Sequence, residues 1–139
     1  MLYNIDIDYG KENEIIVHNL LNIFFPTEKI KKLGYYDEFD YSNEDSSILC
    51  ELKSRRCSYN EYNDTMINCS KLNKCKRMSK NKQKKTDVYF FFYFEQSQLY
   101  YWKYDEHADI RYSNGGRKDR PNAIKKYGFI SRNLLTKVE

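Results

Sequence analysis

The chain has 139 residues and a net charge of +4; 40% of its residues are hydrophobic, 32% are charged and 17% are aromatic. This length suits one domain with a hydrophobic core, and the aromatic content excludes a mostly disordered chain. No apolar run approaches the roughly 18 residues of a membrane helix, and the four cysteines form no Cys-x-x-Cys pair, which argues against a zinc site. We therefore expect one domain over residues 1–139, no membrane partner, and an intracellular, reducing compartment.

The N-terminal part of the chain predicts a lead followed by a helix. Residues 1–9 alternate apolar and acidic side chains, which is typical of an edge strand or of extended chain. A helix is predicted over residues 10–24, because acidic residues stand at its start and Pro26 follows its end. Its apolar positions recur at helical spacing: Ile15, Ile16, Leu20, Leu21 and Phe24.

A β-hairpin and a second helix are predicted next. The arms of the hairpin cover residues 32–41 and 47–55, on either side of a polar turn. A helix over residues 65–78 follows, with apolar residues on one side and lysines on the rest. The apolar side consists of Met66, Ile67, Cys69, Leu72, Cys75 and Met78.

The C-terminal half is predicted to be mainly strands. Residues 87–94 are aromatic and β-branched throughout, which indicates a central strand buried on both faces. A turn at 95–98 leads to an arm over 99–104, and a short strand near 110–112, a turn at 113–117 and apolar patches at 127–130 and 134–135 form an extra C-terminal β-hairpin region. The order of elements predicts an α/β or α+β fold with a mixed sheet flanked by helices.

The second hairpin arm carries two charged residues in an apolar strand. Glu51 and Lys53 are two residues apart, so their side chains point to the same face, and a buried face tolerates them only if their desolvation is repaid. Asp40 lies opposite Glu51 if the hairpin pairs symmetrically, and two opposed carboxylates repel unless a cation lies between them. Lys53 is then placed to neutralise the phosphorus intermediate of phosphodiester hydrolysis and to orient the attacking water. The alternative is an exposed edge strand that carries an ordinary ion pair.

Asp40 and the sequence Glu51-Leu52-Lys53 resemble the bipartite motif of the PD-(D/E)xK nuclease superfamily, which has the restriction-endonuclease-like fold. The αβββαβ core of that superfamily is similar to the predicted order of elements from Glu14 to about Phe94. The resemblance implies a nuclease that depends on Mg²⁺, or on Mn²⁺, and that cleaves DNA to leave 5′-phosphate and 3′-hydroxyl ends.

The resemblance also implies roles for individual residues. Asp40, Glu51, a helix carboxylate and the backbone carbonyl of Leu52 would hold the metal, and Lys53 would stabilise the transition state. Glu14 is the better-placed helix carboxylate and Glu12 is its substitute, although a glutamate there is commonly a surface residue that complements the helix dipole. No proline precedes Asp40, so the neighbouring acids compete for its role; strand parity favours Asp40 or Glu38 over Asp37, and register with Glu51 favours Asp40.

Basic residues provide candidate contacts for nucleic acid. A cluster of lysines and one arginine occupies residues 71–85, where it is either a solvated helix face and loop or a surface that binds phosphates. Tyr100, Tyr101 and Trp102 are candidates for stacking on bases, or they are part of the sheet surface. The predicted phosphate contacts are Arg55, Arg56, Lys71, Lys74, Arg117 and Arg120.

The sequence therefore predicts a metal-dependent nuclease, most simply one that acts on DNA. Two alternatives belong to other classes: a non-catalytic nucleic-acid-binding module on the same fold, and a structural or adaptor protein whose charged strand is solvated. A homodimer would supply two sites for cutting two strands.

Overall fold

The computed structural model describes the backbone of residues 2–115 and 125–138, and the side chains within these ranges from residue 12 onward. The elements, in chain order, are α1 (Leu2–Phe24), β1 (Lys31–Lys32), β2 (Tyr41–Ser42), β3 (Ile48–Ser54), β4 (Asp64–Asn68), α2 (Cys69–Ser79), β5 (Asp87–Phe94), β6 (Gln98–Lys103), β7 (Arg111–Gly115), β8 (Lys125–Ser131) and β9 (Thr136–Lys137). Short 3₁₀ turns at Glu95–Ser97 and Arg132–Leu134 join β5 to β6 and β8 to β9.

The strands of the described residues form two sheets. The larger one has the order β1-β2-β3-β5-β6-β9, and the smaller one has the order β4-β8-β7. Strands β3 and β5 are parallel while the other pairs are antiparallel, so the larger sheet is mixed. The chain from β3 to β5 passes through β4 and α2, which is long enough for the crossover that a parallel pair requires. The prediction of an α/β fold with a mixed sheet and helices is confirmed at this level.

Strand β5 is an interior strand of the larger sheet, as predicted. It lies between β3 and β6, and its aromatic side chains point alternately to the two faces. Phe90 and Phe92 are buried in a core with Leu72 of α2, while Phe91 is buried in a second core with Leu21 of α1. Because both faces are covered, nearly every residue of this strand is apolar.

Helix α1 starts earlier than predicted. A strand or extended lead over residues 1–9 is wrong, because the helix already begins at Leu2 and continues through Gly10. A single glycine costs a helix about 1 kcal/mol relative to alanine, which is too little to end it. Among the side chains of α1 that the structure describes, from residue 12 onward, Asn13, Val17 and Leu21 are buried, at four-residue spacing.

Two consequences follow for residues near the start of the predicted helix. Glu12 and Glu14 lie in the middle of α1 rather than in its first turn, so the dipole argument does not apply to them. Ile15 and Ile16, which were predicted to be on the apolar face, are exposed.

The first hairpin arm is a strand only at its ends. Residues 33–40 form turns between β1 and β2, because the Asp37 carboxylate accepts a hydrogen bond from the Gly34 N–H at 2.6 Å and the Asp37 N–H donates to the Gly34 carbonyl at 3.1 Å. Glycine and aspartate at these positions are typical of a turn. The second arm agrees closely with β3.

The predicted second helix contains a strand. Residues 65–68 belong to β4, in which Thr65 and Ile67 are buried and pair with β8, so a helix start at residue 65 is wrong. Helix α2 begins after Asn68, whose side chain accepts a hydrogen bond from the Ser70 N–H as a helix cap does. The β-branched residues before the cap favour a strand.

The C-terminal region contributes the smaller sheet. β7 and β8 pair antiparallel, and β8 also pairs with β4. Residues 113–115 belong to β7 instead of the predicted turn, and the rest of that turn lies outside the described residues. Among the described residues, no helix combines the length and the apolarity needed to cross a membrane.

Candidate active site

Glu51 and Lys53 lie on the face of β3 that is covered by α2. Their neighbour Cys50 points to the opposite face, where it is buried in the core against α1. Glu51 contacts Lys71 on α2. The alternation of the strand therefore places two charged side chains on one face and an apolar thiol on the other.

Asp40 lies opposite Glu51, as the symmetric hairpin predicts. The register pairs Tyr41 with Cys50 and Ser42 with Leu49, and the Asp40 N–H extends this ladder by donating to the Cys50 carbonyl at 3.0 Å. The Asp40 carboxylate accepts a hydrogen bond from the Leu52 N–H at 2.7 Å. This bond fixes the carboxylate of Asp40 against β3, next to Glu51.

The Glu51 carboxylate is buried beside two lysines. Glu51 is only 5% exposed. Its Oε2 lies 3.1 Å from Lys71 Nζ and 3.9 Å from Lys53 Nζ. The alternative, an ion pair on a solvated edge strand, is excluded because Glu51 is buried and β3 lies between β2 and β5. A carboxylate removed from water in this way is costly unless charged or hydrogen-bonding groups contact it.

The pKa of Glu51 reflects a conflict between burial and these neighbours. The pKa of Glu51 is raised from 4.5 to about 7, chiefly by burial and also by Asp40, through a hydrogen bond to the protonated form and through its own charge. Lys53 and Lys71 lower it, but less strongly. Burial therefore penalises the ionised form of Glu51 more than the two lysines stabilise it.

Lys71 is held in place by an aromatic ring as well as by Glu51. Its Nζ lies 4.6 Å from the centre of the Phe39 ring, which is itself buried. A cation over an aromatic face is stabilised by the ring quadrupole, more so where water is excluded. Lys71 was predicted only as a phosphate contact, and its approach to Glu51 is a feature that the sequence did not reveal.

The two acids that competed with Asp40 have other partners. The Asp37 carboxylate caps the turn at Gly34. The Glu38 carboxylate is exposed and lies 2.8 Å from Lys74 Nζ, which lowers the pKa of Glu38. Of the three acids, Asp40 is the one that the structure brings next to Glu51.

Glu14 lies on α1, against the other face of the larger sheet. Its carboxylate is 3.3 Å from Lys32 Nζ, and its backbone carbonyl accepts a hydrogen bond from the Tyr41 hydroxyl at 3.0 Å. The structure therefore brings Asp40, Glu51, Lys53 and Lys71 together and places Glu14 in a separate ion pair. Within the described residues, no three His, Cys, Asp or Glu side chains are arranged as a complete metal shell.

The predicted phosphate contacts are distributed unevenly. Arg55 projects from the end of β3 and donates to Thr65 Oγ1 at 3.2 Å and to the Met66 carbonyl at 2.7 Å, so it ties β3 to β4. Arg56 is exposed at the same end of the strand. Arg117 and Arg120 lie outside the described residues.

The exposed aromatic residues near the site are not those that the sequence suggested. Trp102 is buried, Tyr100 stacks on Tyr59 with ring centres 4.0 Å apart, and Tyr101 packs on α1. Tyr35 and Tyr36, in the turn between β1 and β2, are instead almost fully exposed. The flanking Gly34 and Asp37 were the signal that these two tyrosines sit on a turn.

Asp40 and Glu51 are suited to a hard divalent cation. Mg²⁺ prefers oxygen ligands and is commonly held by one or two carboxylates together with water and substrate phosphates. A cation between Asp40 and Glu51 would stabilise the ionised form of Glu51 against the burial and the Asp40 charge that raise its pKa. The donor set present in the structure therefore fits this class of metal.

The comparison with protein families agrees with this chemistry. The family described as "Phage putative PDDEXK endonuclease" matches residues 3–130, which include every described residue discussed above as part of the site. No curated protein and no solved structure matches the chain. Because the match covers most of its length, the chain belongs to this family and, through it, to the PD-(D/E)xK nuclease superfamily.

Proposed function

We propose that this protein is a Mg²⁺-dependent nuclease that hydrolyses phosphodiester bonds in DNA. The observation that carries the proposal is the pair of carboxylates, Asp40 and Glu51, held on adjacent strands beside Lys53 in a chain of nuclease ancestry. Burial penalises the ionised form of Glu51, and a cation bound beside Asp40 would offset that penalty. Mn²⁺, which takes the same oxygen ligands, is expected to substitute.

Asp40 and Glu51 would hold the metal, with the backbone carbonyl of Leu52 as a further ligand. Glu14 would lie outside this metal shell, because α1 packs on the opposite face of the larger sheet and the Glu14 carboxylate is 3.3 Å from Lys32 Nζ. The bound cation would polarise the scissile phosphate and lower the pKa of the attacking water.

The lysines would act on the substrate. Lys53, partly exposed and 3.9 Å from Glu51 Oε2, would neutralise the charge that develops on the phosphate oxygens. Lys74 on α2 would contact a neighbouring phosphate, Lys71 would do so from its position beside Glu51, and Arg56 would do so at the end of β3. The expected products carry 5′-phosphate and 3′-hydroxyl ends.

The restriction-endonuclease-like core would consist of α1, the strands β1 to β3, α2 and β5. The inserted strand β4 and its sheet with β7 and β8 would then be additions outside this core. In that arrangement the active site lies between α2 and the larger sheet. A homodimer would place two such sites on the two strands of a duplex.

The test is a cleavage assay on supercoiled, linear, single-stranded and branched DNA, with Mg²⁺ and then with excess chelator. We expect cleavage that requires the metal and that Lys53→Ala reduces by a factor of about 100 or more, a typical loss for one donor at a developing charge. Lys29→Ala, an exposed lysine outside the site, is the matched control and should retain full activity. Cleavage that persists in chelator would contradict the proposal.

One observation favours a second candidate, a non-catalytic module that binds nucleic acid. Lys71 already neutralises Glu51 at 3.1 Å without a metal, as it would in a site that had lost catalysis. Salt-sensitive binding to DNA without any Mg²⁺-dependent cleavage would select this candidate.

A further inference from the structure

Two adjacent tyrosines project into solvent close to the candidate active site. Tyr35 is 94% exposed and Tyr36 is 96% exposed, which makes them the most exposed of the large hydrophobic residues described. Their rings meet edge to face with centres 5.2 Å apart. Large aromatic surfaces left in water contribute nothing to the folded core, and such patches commonly mark binding sites.

The loop that carries these tyrosines is anchored by the active site. We define residues 33–40 as the tyrosine loop. The Leu33 N–H donates to the Asp40 carbonyl at 2.8 Å and closes the base of the loop. Glu38 forms the ion pair with Lys74, and Phe39 is buried beneath Lys71. The tyrosines are therefore presented from a turn whose two ends are fixed.

The geometry of the loop limits how far Tyr35 can lie from the reacting phosphate. The hydrogen bond between Leu33 and Asp40 keeps their Cα atoms about 5 Å apart, and the two residues from Leu33 to Tyr35 span at most about 7 Å. The Cα atom of Tyr35 is therefore within about 12 Å of that of Asp40. Successive nucleotides rise about 3.4 Å along a strand, so Tyr35 lies within about four nucleotides of a phosphate bound at Asp40.

The surroundings of the loop carry the charge that a nucleic-acid strand needs. Lys74, which anchors Glu38, is partly exposed on α2, and the exposed Arg77 one turn further along the helix also lies close enough to Glu38 to lower its pKa. Cations for phosphates and aromatic faces for bases together form the usual surface for an unpaired strand. In a paired duplex the faces of the bases are covered by the neighbouring base pairs, so Tyr35 and Tyr36 cannot stack on them.

We infer that the tyrosine loop is a stacking platform for unpaired nucleobases beside the scissile phosphate. The preferred substrate class is accordingly DNA with an unpaired stretch, such as a single strand, a flap or a splayed arm, rather than continuous duplex. This inference rests on the proposed function for the position of the reacting phosphate. The base-stacking surface itself depends only on Tyr35 and Tyr36.

The test measures binding in chelator, where no cleavage occurs. The probes are a labelled single strand, a splayed-arm duplex with 2-aminopurine in the unpaired arm, and a fully paired duplex of the same sequence. The double variant Tyr35→Ala with Tyr36→Ala is compared with the double Phe variant, which keeps the rings. Tyr62→Ala is the matched control, because Tyr62 is an aromatic residue of another loop with 61% exposure.

We expect the double alanine variant to bind the single strand and the splayed arm about 10- to 100-fold more weakly, the loss typical of base stacking on aromatic residues. Duplex binding should be unchanged, 2-aminopurine quenching should be lost, and the double Phe variant and Tyr62→Ala should behave as wild type. An equal loss on all three probes, or no loss on any, would overturn the inference. So would a change of oligomeric state in the double alanine variant with DNA binding intact, since the tyrosines would then contact a second copy of the chain.

The two proposals fail separately in this experiment. If wild-type protein cleaves DNA with Mg²⁺ while the alanine variant binds all probes normally, the stacking inference is wrong and the nuclease stands. If wild-type protein quenches 2-aminopurine through the tyrosines and never cleaves, the stacking surface stands and the nuclease proposal is wrong.

Discussion

The pKa of Glu51 leads to a prediction about stability in the metal-free protein. Glu51→Gln removes a buried carboxylate and keeps its shape and one hydrogen-bonding oxygen. In the folded protein Glu51 has a pKa of about 7, compared with 4.5 as its ordinary value, so between these pH values the native state binds more protons than the unfolded state. Native stability therefore falls as the pH rises through this window.

The size of the effect follows from the same two values. A difference between 4.5 and about 7 corresponds to about 3 kcal/mol of unfolding free energy, an upper figure because local relaxation would reduce it. Relative to Glu51→Gln, the wild-type protein should lose up to this amount between about pH 4.5 and about pH 8. The lysines do not cancel the loss, because Lys53 and Lys71 lower the pKa of Glu51 less than burial and Asp40 raise it.

Urea unfolding at a series of pH values in excess chelator measures this difference. Comparing the two proteins at each pH removes the contribution of every other titrating group, as long as those groups are unaffected by the substitution. Glu44→Gln applies the same chemical change to an exposed turn residue and should show a flat difference. A difference between Glu51→Gln and wild type that does not vary with pH, or that grows in favour of wild type as the pH rises, would refute the reasoning. Adding Mg²⁺ at high pH should restore stability to wild type and not to Glu51→Gln.

Three further predictions concern other positions in the chain. Asp40→Asn removes the carboxylate that opposes Glu51, so it should lower the apparent pKa of Glu51 in the same urea series. The variant should also lose the stabilisation by Mg²⁺, and an unchanged response to Mg²⁺ would exclude Asp40 as a ligand. Lys74→Ala breaks an exposed ion pair with Glu38 and should change the unfolding free energy by less than about 1 kcal/mol. It should weaken DNA binding and reduce the salt dependence of binding, which titrations at several salt concentrations would measure. Binding equal to that of the wild-type protein would contradict a phosphate contact by Lys74. Gly128→Ala should destabilise the protein by about 1–3 kcal/mol in chemical denaturation, since the new methyl group would meet Leu72 and Ile110, and a neutral result would mean that these side chains move aside.

The parts of the fold that depend on local sequence could be predicted. Strand β5 is recognisable because an uninterrupted aromatic and β-branched run fits only a strand covered on both faces. The position of Asp40 opposite Glu51 follows from the symmetry of the hairpin, and the ladder from Tyr41–Cys50 to Ser42–Leu49 has that register.

The parts of the fold that depend on contacts between distant segments of the chain could not be predicted. β4 is a strand because it pairs with β8, which lies some sixty residues later in the chain, whereas its local composition continues the apolar pattern of α2. The Asn68 cap was the local sign that the helix starts there. Periodicity also does not set the length of α1, since the helix continues through Gly10.

The residues of the candidate site also divide into those that local sequence identifies and those that only the tertiary structure brings together. Residue type and spacing on β3 were enough to single out Glu51 and Lys53. The contact between Lys71 and Glu51 brings together two elements separated by β4, so spacing contains no information about it. Glu14 has the residue type of a third metal ligand, but α1 packs on the opposite face of the sheet and pairs it with Lys32.

A cleavage assay of the Glu51→Gln variant tests most directly the claim that Asp40 and Glu51 form the metal site of a nuclease. The account predicts that wild-type protein and Glu44→Gln cut DNA in Mg²⁺, and that Glu51→Gln binds the same DNA at least as tightly and does not cut it. Tighter binding is expected because the substitution removes a negative charge next to the phosphates. A Glu51→Gln protein that cleaves at the wild-type rate would contradict the assignment of Asp40 and Glu51 as the metal site.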